Sequence, residues 1–158
     1  MKIRVVIADD HKIVMEGLGA LIRQQSDMDL VAEAENGREA VALAEKLKPD
    51  IVLMDISMPG MNGIAATRQV VSAVASPKVI IMSMYDDRKY IIESFRAGAT
   101  GYMPKSSSFA ELIDAIRTVQ AGRYYLGRDC AGIVVADILR DGARSGLARL
   151  GQVDGTGT

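Results

Sequence analysis

The chain is predicted to fold as an α/β domain, a five-stranded parallel sheet wound in both directions and covered by helices on each face. Three observations predict it. Five short apolar runs alternate with five stretches of helical periodicity, the pattern of consecutive βαβ units with right-handed crossovers. The strongest runs, 3–8, 50–54 and 78–83, are apolar almost throughout, as strands buried on both faces must be. Each of these runs then meets an acid or a hydroxyl: Asp9 and Asp10, Asp55, and Ser83.

In order, Ile3 to Ala8 is the first strand, halted by the acid pair. From Lys12 to about Gln25, Ile13, Gly17 and Leu21 beside Val14, Leu18 and Ile22 form one helical stripe. Asp29 to Ala34 only alternates, which suits a sheet edge. Asn36-Gly37 is read as a turn, and Ala40, Val41, Ala44 and Leu47 mark a second helix, stopped before Pro49. The third strand delivers Asp55, and the Pro59 to Gly63 segment turns the chain into a helix running to about Val74. Ser76-Pro77 breaks it ahead of the fourth strand. A helix from Asp87 to Ala97 closes at Gly98, and Thr100 to Met103 is a short fifth strand leading to Pro104 and Lys105. Ser108 suits the cap of a fifth helix striped by Leu112, Ile113, Ile116 and Val119 and ending at Gly122.

Placing the weaker second and fifth strands at the edges gives the order 2-1-3-4-5, a flavodoxin-like winding with its switch point between the first and third strands. Residues 1–122 are expected to form this domain. Residues 123–141 are expected to add a turn or strand and a sixth helix, and 142–158, with five glycines, to form a flexible tail.

Composition narrows the function. A net charge of −1 and a pI near 5.8 provide no basic footprint for nucleic acid. Cys130, the one cysteine, lies in an apolar helical pattern and reads as core filler. No apolar segment reaches the roughly 20 residues that span a bilayer, and the N-terminal run lacks a cleavage site, so a cytoplasmic protein is expected.

The winding brings Asp9, Asp10 and Asp55 to the carboxyl ends of neighbouring strands, where ligands bind in open α/β sheets. Three carboxylates there repel one another unless a cation joins them, and a hard, oxygen-preferring ion such as Mg²⁺ is the natural occupant. Ser83 and Lys105, at the ends of two further strands, add a hydroxyl and an ammonium. Donors and positive charge beside a carboxylate are what a phosphoryl group on Asp55 would need, so Asp55 reads as a phosphoryl-accepting nucleophile. Taken singly, each residue has an ordinary role: Asp10 as a helix cap, Ser83 as a strand end, Lys105 as a solvated lysine, Tyr102 as packing. His11 reads as an exposed helix start rather than a ligand, since Mg²⁺ prefers oxygen.

Asp9-Asp10, Asp55 within Leu-Met-Asp-Ile-Ser-Met-Pro-Gly-Met-Asn-Gly, Ser83, and Ala97 through Lys105 together resemble the receiver domain of two-component response regulators over about residues 2–121. The Asp-Asp-His opening resembles the NarL/FixJ, or LuxR-type, branch. The resemblance implies that Asp55 is phosphorylated by a sensor histidine kinase. It also implies that Asp10 and Asp55 bind Mg²⁺ directly, Asp9 through water, and Ser57 through its backbone carbonyl. Ser83 and Lys105 would then engage the phosphoryl oxygens, with Ser83 and an inward-moving Tyr102 switching a surface built from the fourth helix, fifth strand and fifth helix. Such a domain is a switch rather than an enzyme in the ordinary sense, and it can pair as a homodimer.

The sequence departs from the family pattern in two places. Ser106 stands where many receivers carry a proline after the lysine. Regulators of this branch also continue into a helix-turn-helix domain, and the tail here has neither a recognition helix nor a basic cluster, so no direct DNA binding by this chain is expected. The competing expectations are a Mg²⁺-dependent phosphohydrolase with an Asp nucleophile, disfavoured by the adjacent rather than alternating acids, and a non-phosphorylated binding scaffold.

Overall fold

A computed structural model describes residues 2–72, 77–84, 88–127 and 130–142. The strands are β1 (Ile3–Ala8), β2 (Met28–Ala34), β3 (Ile51–Asp55), β4 (Lys78–Ser83), β5 (Gly101–Pro104) and β6 (Tyr125–Leu126). The helices are α1 (Lys12–Gln24), α2 (Gly37–Leu47), α3 (Gly63–Ser72), α4 (Arg88–Arg96) and α5 (Phe109–Gln120), with a further helix, α6, over 130–142.

The sheet runs β2-β1-β3-β4-β5-β6, every pair parallel. The expected order therefore holds for the first five strands, and β2 is an edge. The fifth strand is not: β6 pairs outside it, Gly101 with Tyr125 and Tyr102 with Leu126. A two-residue strand is too short to show a periodicity, which is why the sequence suggested only a turn or a strand there.

Alternation along the strands divides the core in two. Val6, Val52, Met54, Ile81 and Tyr102 point to the face covered by α2, α3 and α4, and Val5, Ile7, Leu53, Ile80 and Met103 to the face covered by α1 and α5. All five residues of β3 are buried, so its apolar run is spent wholly on packing and its last residue alone carries charge. Helix α5 contributes Leu112, Ala115, Ile116 and Val119, all at 2% exposure or less, and Ser108 caps it by accepting from the Glu111 N–H.

Two boundaries differ from the sequence reading. Asn36-Gly37 is not a free-standing turn: Asn36 is the N-cap of α2, its side-chain oxygen accepting from the Glu39 N–H at 2.9 Å while its side-chain Nδ2 donates to Glu39 Oε2 at 3.0 Å. The cap and the N3 glutamate thus brace each other side chain to side chain. The strand-five register extends to Pro104. Gly98, at φ +109°, closes the turn after α4 as expected. The proposed end of the third helix at Val74 and the start of the fourth at Asp87 lie outside the described residues.

Beyond β6, α6 lies against α4 rather than apart from it. Cys130 is 6% exposed within the cluster that holds Tyr102, and Arg96 on α4 bonds both Asp137 and Asp141 at 2.9–3.2 Å. Gly142, where the tail was expected to begin, is helical, and the rest of that tail lies outside the described residues. Among the described residues no helix is long and apolar enough to cross a membrane.

Candidate functional site

The site forms where parallel strands end together. Ala8 pairs with Met54, so Asp9 and Asp55 are each the next residue along neighbouring strands. Ser83 pairs with Pro104, and the Lys105 N–H donates to the Ser83 carbonyl at 2.8 Å, which sets Lys105 at the same rim. The return from β3 is held closed by Gly63, whose N–H donates to the Ile56 carbonyl at 2.9 Å. A Cβ at Gly63 would overlap the Asp55 carbonyl oxygen, so only glycine lets α3 start this close behind the acid.

Asp9 and Asp55 are nearly sealed, at 3% exposure each, whereas Asp10 faces solvent. The Lys105 ammonium sits 3.0 Å from Asp9 Oδ2 and 3.0 Å from Asp55 Oδ2. Asp55 Oδ2 is thus a buried oxygen held by an ion pair, with no further hydrogen-bond donor among the described residues. Among the described residues Asp55 Oδ1 receives one long bond, 3.4 Å, from the Ser57 N–H. Burial pushes the Asp55 carboxyl above its ordinary range; the Lys105 pairing opposes this and the Asp9 charge reinforces it. Burial works against the Lys105 charge, but Asp55 and Asp9 outweigh it and hold the ammonium above its ordinary value.

One lysine therefore pairs with Asp9 and Asp55, and Asp10 stands beside them as a third carboxylate. One ligand atom from each of Asp9, Asp10, His11 and Asp55 can be chosen so that all lie within 4.8 Å of one another. Such an acid-rich set, with a buried oxygen held by an ion pair alone among the described residues, fits a divalent cation: the excess negative charge and the remaining lone pairs of Asp55 are what the ion would satisfy. His11 belongs to the same group of atoms. It is the helix start as expected, the N-cap of α1, but its side chain caps nothing and lies instead over the acids, Nδ1 3.0 Å from Asp9 Oδ1. Its adjacency to Asp9-Asp10 was the available signal.

Ser83 is buried at the tip of β4 and lines, with His11, Val14, Met84, Pro104, Lys105 and Ser106, an open depression of about 380 Å³ beside the acids. Tyr102 packs inside, its ring 1% exposed, in the cluster with Ile81, Ile91 and Cys130. The cover supplied by β6 and α6 accounts for this, since Tyr102 pairs with Leu126 and shares its cluster with Cys130.

The receiver-domain family model, described as the response regulator receiver domain, matches residues 5–117. A transcriptional regulatory protein of Bacillus subtilis (strain 168), LiaR, is 39% identical over 140 residues, 89% of this chain and 66% of that protein. The uncharacterized transcriptional regulatory protein YxjL of the same organism is 40% identical over 88% of this chain and 64% of its own length. This chain thus spans 53–66% of the first curated relatives it matches. Among solved structures, a two-component response regulator of the LuxR family from Aurantimonas sp. SI85-9A1 superposes with a TM-score of 0.80 at 37% identity, covering 88% of this chain and 99% of that one. The signal receiver domain of the putative response regulator NarL from Mycobacterium tuberculosis superposes at 0.75 and 31% identity, covering 77% and 98%. With its acids, hydroxyl and lysine at the strand tips of this winding, the chain belongs to the response regulator receiver family, in its LuxR/NarL-type branch.

Proposed function

We propose that this chain is a phosphorylation switch: a sensor histidine kinase transfers a phosphoryl group to Asp55, and the receiver passes the change to the rest of a transcription regulator. One observation carries the reading. Asp55 is a buried carboxylate at a strand tip, with an oxygen held by an ion pair alone among the described residues, set between an ammonium and two further acids.

In the transfer, an Asp55 carboxylate oxygen attacks phosphorus, the P–N bond of the kinase phosphohistidine breaks, and the imidazole leaves with that electron pair and takes up a proton. The carboxyl side is prepared because Asp55 is 3% exposed and its oxygens meet one ammonium and one long backbone N–H bond rather than a shell of water. Lys105 pairs with the oxygens that accumulate charge, and Ser83 donates its hydroxyl to them from the neighbouring tip. Asp9, Asp10 and Asp55, with the Ser57 carbonyl, would hold Mg²⁺, which supplies charge neutralisation of the phosphoryl oxygens when bound. Phosphorylation replaces a lysine-paired carboxylate by a larger dianion. Ser83 and Tyr102 are the residues through which that change would reach α4, β5 and α5. The curated relatives named above are transcriptional regulators, which supports a regulatory rather than a metabolic role for this chain.

The test is intact-mass analysis after incubation with acetyl phosphate and Mg²⁺. One hydroxylamine-labile phosphoryl adduct is expected on the native chain and none on Asp55→Asn. An adduct that survives in the variant, or sustained hydrolysis of small phosphoesters by the native chain, overturns the reading.

A further inference from the structure

The imidazole of His11 is a donor at the site for which the phosphorylation switch has no use. Its Nδ1 lies 3.0 Å from Asp9 Oδ1, 3.1 Å from Asp10 Oδ1 and 3.9 Å from Asp55 Oδ2. Donors bound to a small octahedral ion at about 2.1 Å stand about 3.0 Å apart along an edge and about 4.2 Å apart across the centre. The two shorter separations are edge lengths, and the third falls between edge and diagonal. Asp55 Oδ2, held by the Lys105 ion pair with no further donor among the described residues, belongs to the same group of atoms.

The ring is placed there by the backbone. The His11 N–H donates to Asp9 Oδ1 at 2.8 Å and its carbonyl accepts from Met15 at 3.0 Å, so the start of α1 fixes where the side chain begins. With 53% of the side chain exposed, small rotations are free to adjust it. Lys105 pairs with Oδ2 of Asp9 and of Asp55 and stands 3.4 Å from the imidazole Nδ1, so a cation taking that nitrogen and Asp55 Oδ2 displaces the ammonium from both, while Asp9 Oδ1 and Asp10 Oδ1 lie on the imidazole side away from it.

We propose that His11 is a nitrogen ligand of the cation site built by Asp9, Asp10 and Asp55, and that it gives the site a preference for transition ions such as Mn²⁺ and Co²⁺ over Mg²⁺. The proposal rests on the receiver reading and deepens it. Imidazole is a borderline donor that suits transition ions, whereas Mg²⁺ keeps oxygen ligands and fills a vacant position with water. Loss of the ring therefore removes a ligand from Mn²⁺ or Co²⁺ but takes little from Mg²⁺.

The test uses the full chain, without a histidine tag, at pH 8. Mg²⁺ and Co²⁺ affinities are measured by calorimetry and Mn²⁺ affinity by electron paramagnetic resonance, for the native chain, His11→Ala and Asp55→Asn. His11→Ala is expected to lose about tenfold in Mn²⁺ and Co²⁺ affinity while Mg²⁺ affinity changes less than twofold. Because His11 is the only histidine in the chain, pulsed resonance on bound Mn²⁺ should show an imidazole nitrogen-14 coupling that vanishes in His11→Ala. Mn²⁺ bound without that coupling, or an equal loss for all three ions in His11→Ala, overturns the proposal and leaves the Asp55 reading standing. Unchanged affinity for every ion in Asp55→Asn means that the ions bind elsewhere, and overturns both.

Discussion

Replacing Lys105 by methionine keeps most of the side chain's bulk and deletes its charge, leaving Asp9 and Asp55 facing each other at 3% exposure with no cation between them. Each lysine contact is 3.0 Å long, and at an effective dielectric of about 20 each corresponds to a Coulomb attraction of about 5 to 6 kcal/mol, most of it offset by desolvation. Breaking a buried pair on one side costs about 3–5 kcal/mol. Solvent reaches the Lys105 end of this site along the depression beside His11, so the cost falls at or just below that range, about 2–3 kcal/mol, or a fall of about 5–12 °C in Tm for a domain of this size. Asp55→Asn acts in the opposite sense. It removes a carboxylate whose proton the folded state holds more tightly than the unfolded chain does, while Lys105 keeps Asp9 as a partner. This variant should equal or exceed the native chain in stability at neutral pH, and in its background Lys105→Met should cost about half as much. Urea unfolding followed by circular dichroism at pH 7.5, in chelator to exclude divalent ions, measures all four proteins. A Lys105→Met variant within 0.5 kcal/mol of native, or an Asp55→Asn variant as weak as Lys105→Met, would refute the electrostatic account.

Stability should also depend on pH with a definite sign. The raised Asp55 value means that its contribution to stability is full below the ordinary carboxylate range and is lost as pH rises through the raised value, whereas the Lys105 contribution persists through neutral pH and is lost only above the ordinary lysine range. The difference in unfolding free energy between the native chain and Asp55→Asn, measured from pH 4 to 7, should therefore move against the native chain as pH rises. Gly63→Ala forces a Cβ onto the Asp55 carbonyl, which is backbone and cannot rotate away. A loss of about 2–4 kcal/mol, in the range of strained backbone sites, is expected in urea melts. Ile116→Ala empties a fully buried position in α5 and should cost about 2–4 kcal/mol while phosphorylation by acetyl phosphate continues. Arg96→Ala removes the bonds to Asp137 and Asp141 at an exposed surface. Amide exchange over 130–142 should quicken with the unfolding midpoint unchanged, and equal exchange in both proteins would show that the arginine does not hold α6.

The parts of the molecule that were legible in the sequence are those in which one residue's chemistry and its position in a period agree. Ile3–Ala8, Ile51–Asp55 and Lys78–Ser83 are apolar without alternation because both their faces are covered, and a charged residue at the end of such a run can only be at the sheet's rim. From that alone Asp9, Asp55 and Ser83 follow as rim residues, and the winding then makes the first two neighbours. What escaped was set by bonds that no apolar periodicity reports, some local and some tertiary. Asn36 has the same local sequence whether it turns or caps, and only its bonds with Glu39 decide. Tyr102 is buried because a two-residue strand and a helix beyond the expected domain end lie against it, which no window centred on β5 contains. His11 was assigned by the preference of Mg²⁺ for oxygen, a rule about the metal. Its actual place follows from the start of α1, which turns the residue after two acids back over them. The same step that ends β1 and begins α1 thus assembles three of the four candidate ligands from consecutive residues, and β3 need deliver only Asp55. A site divided in this way depends on the β1–β3 register more than on any single side chain. For that reason a lesion behind Asp55, at Gly63, is expected to damage the site as much as one in front of it.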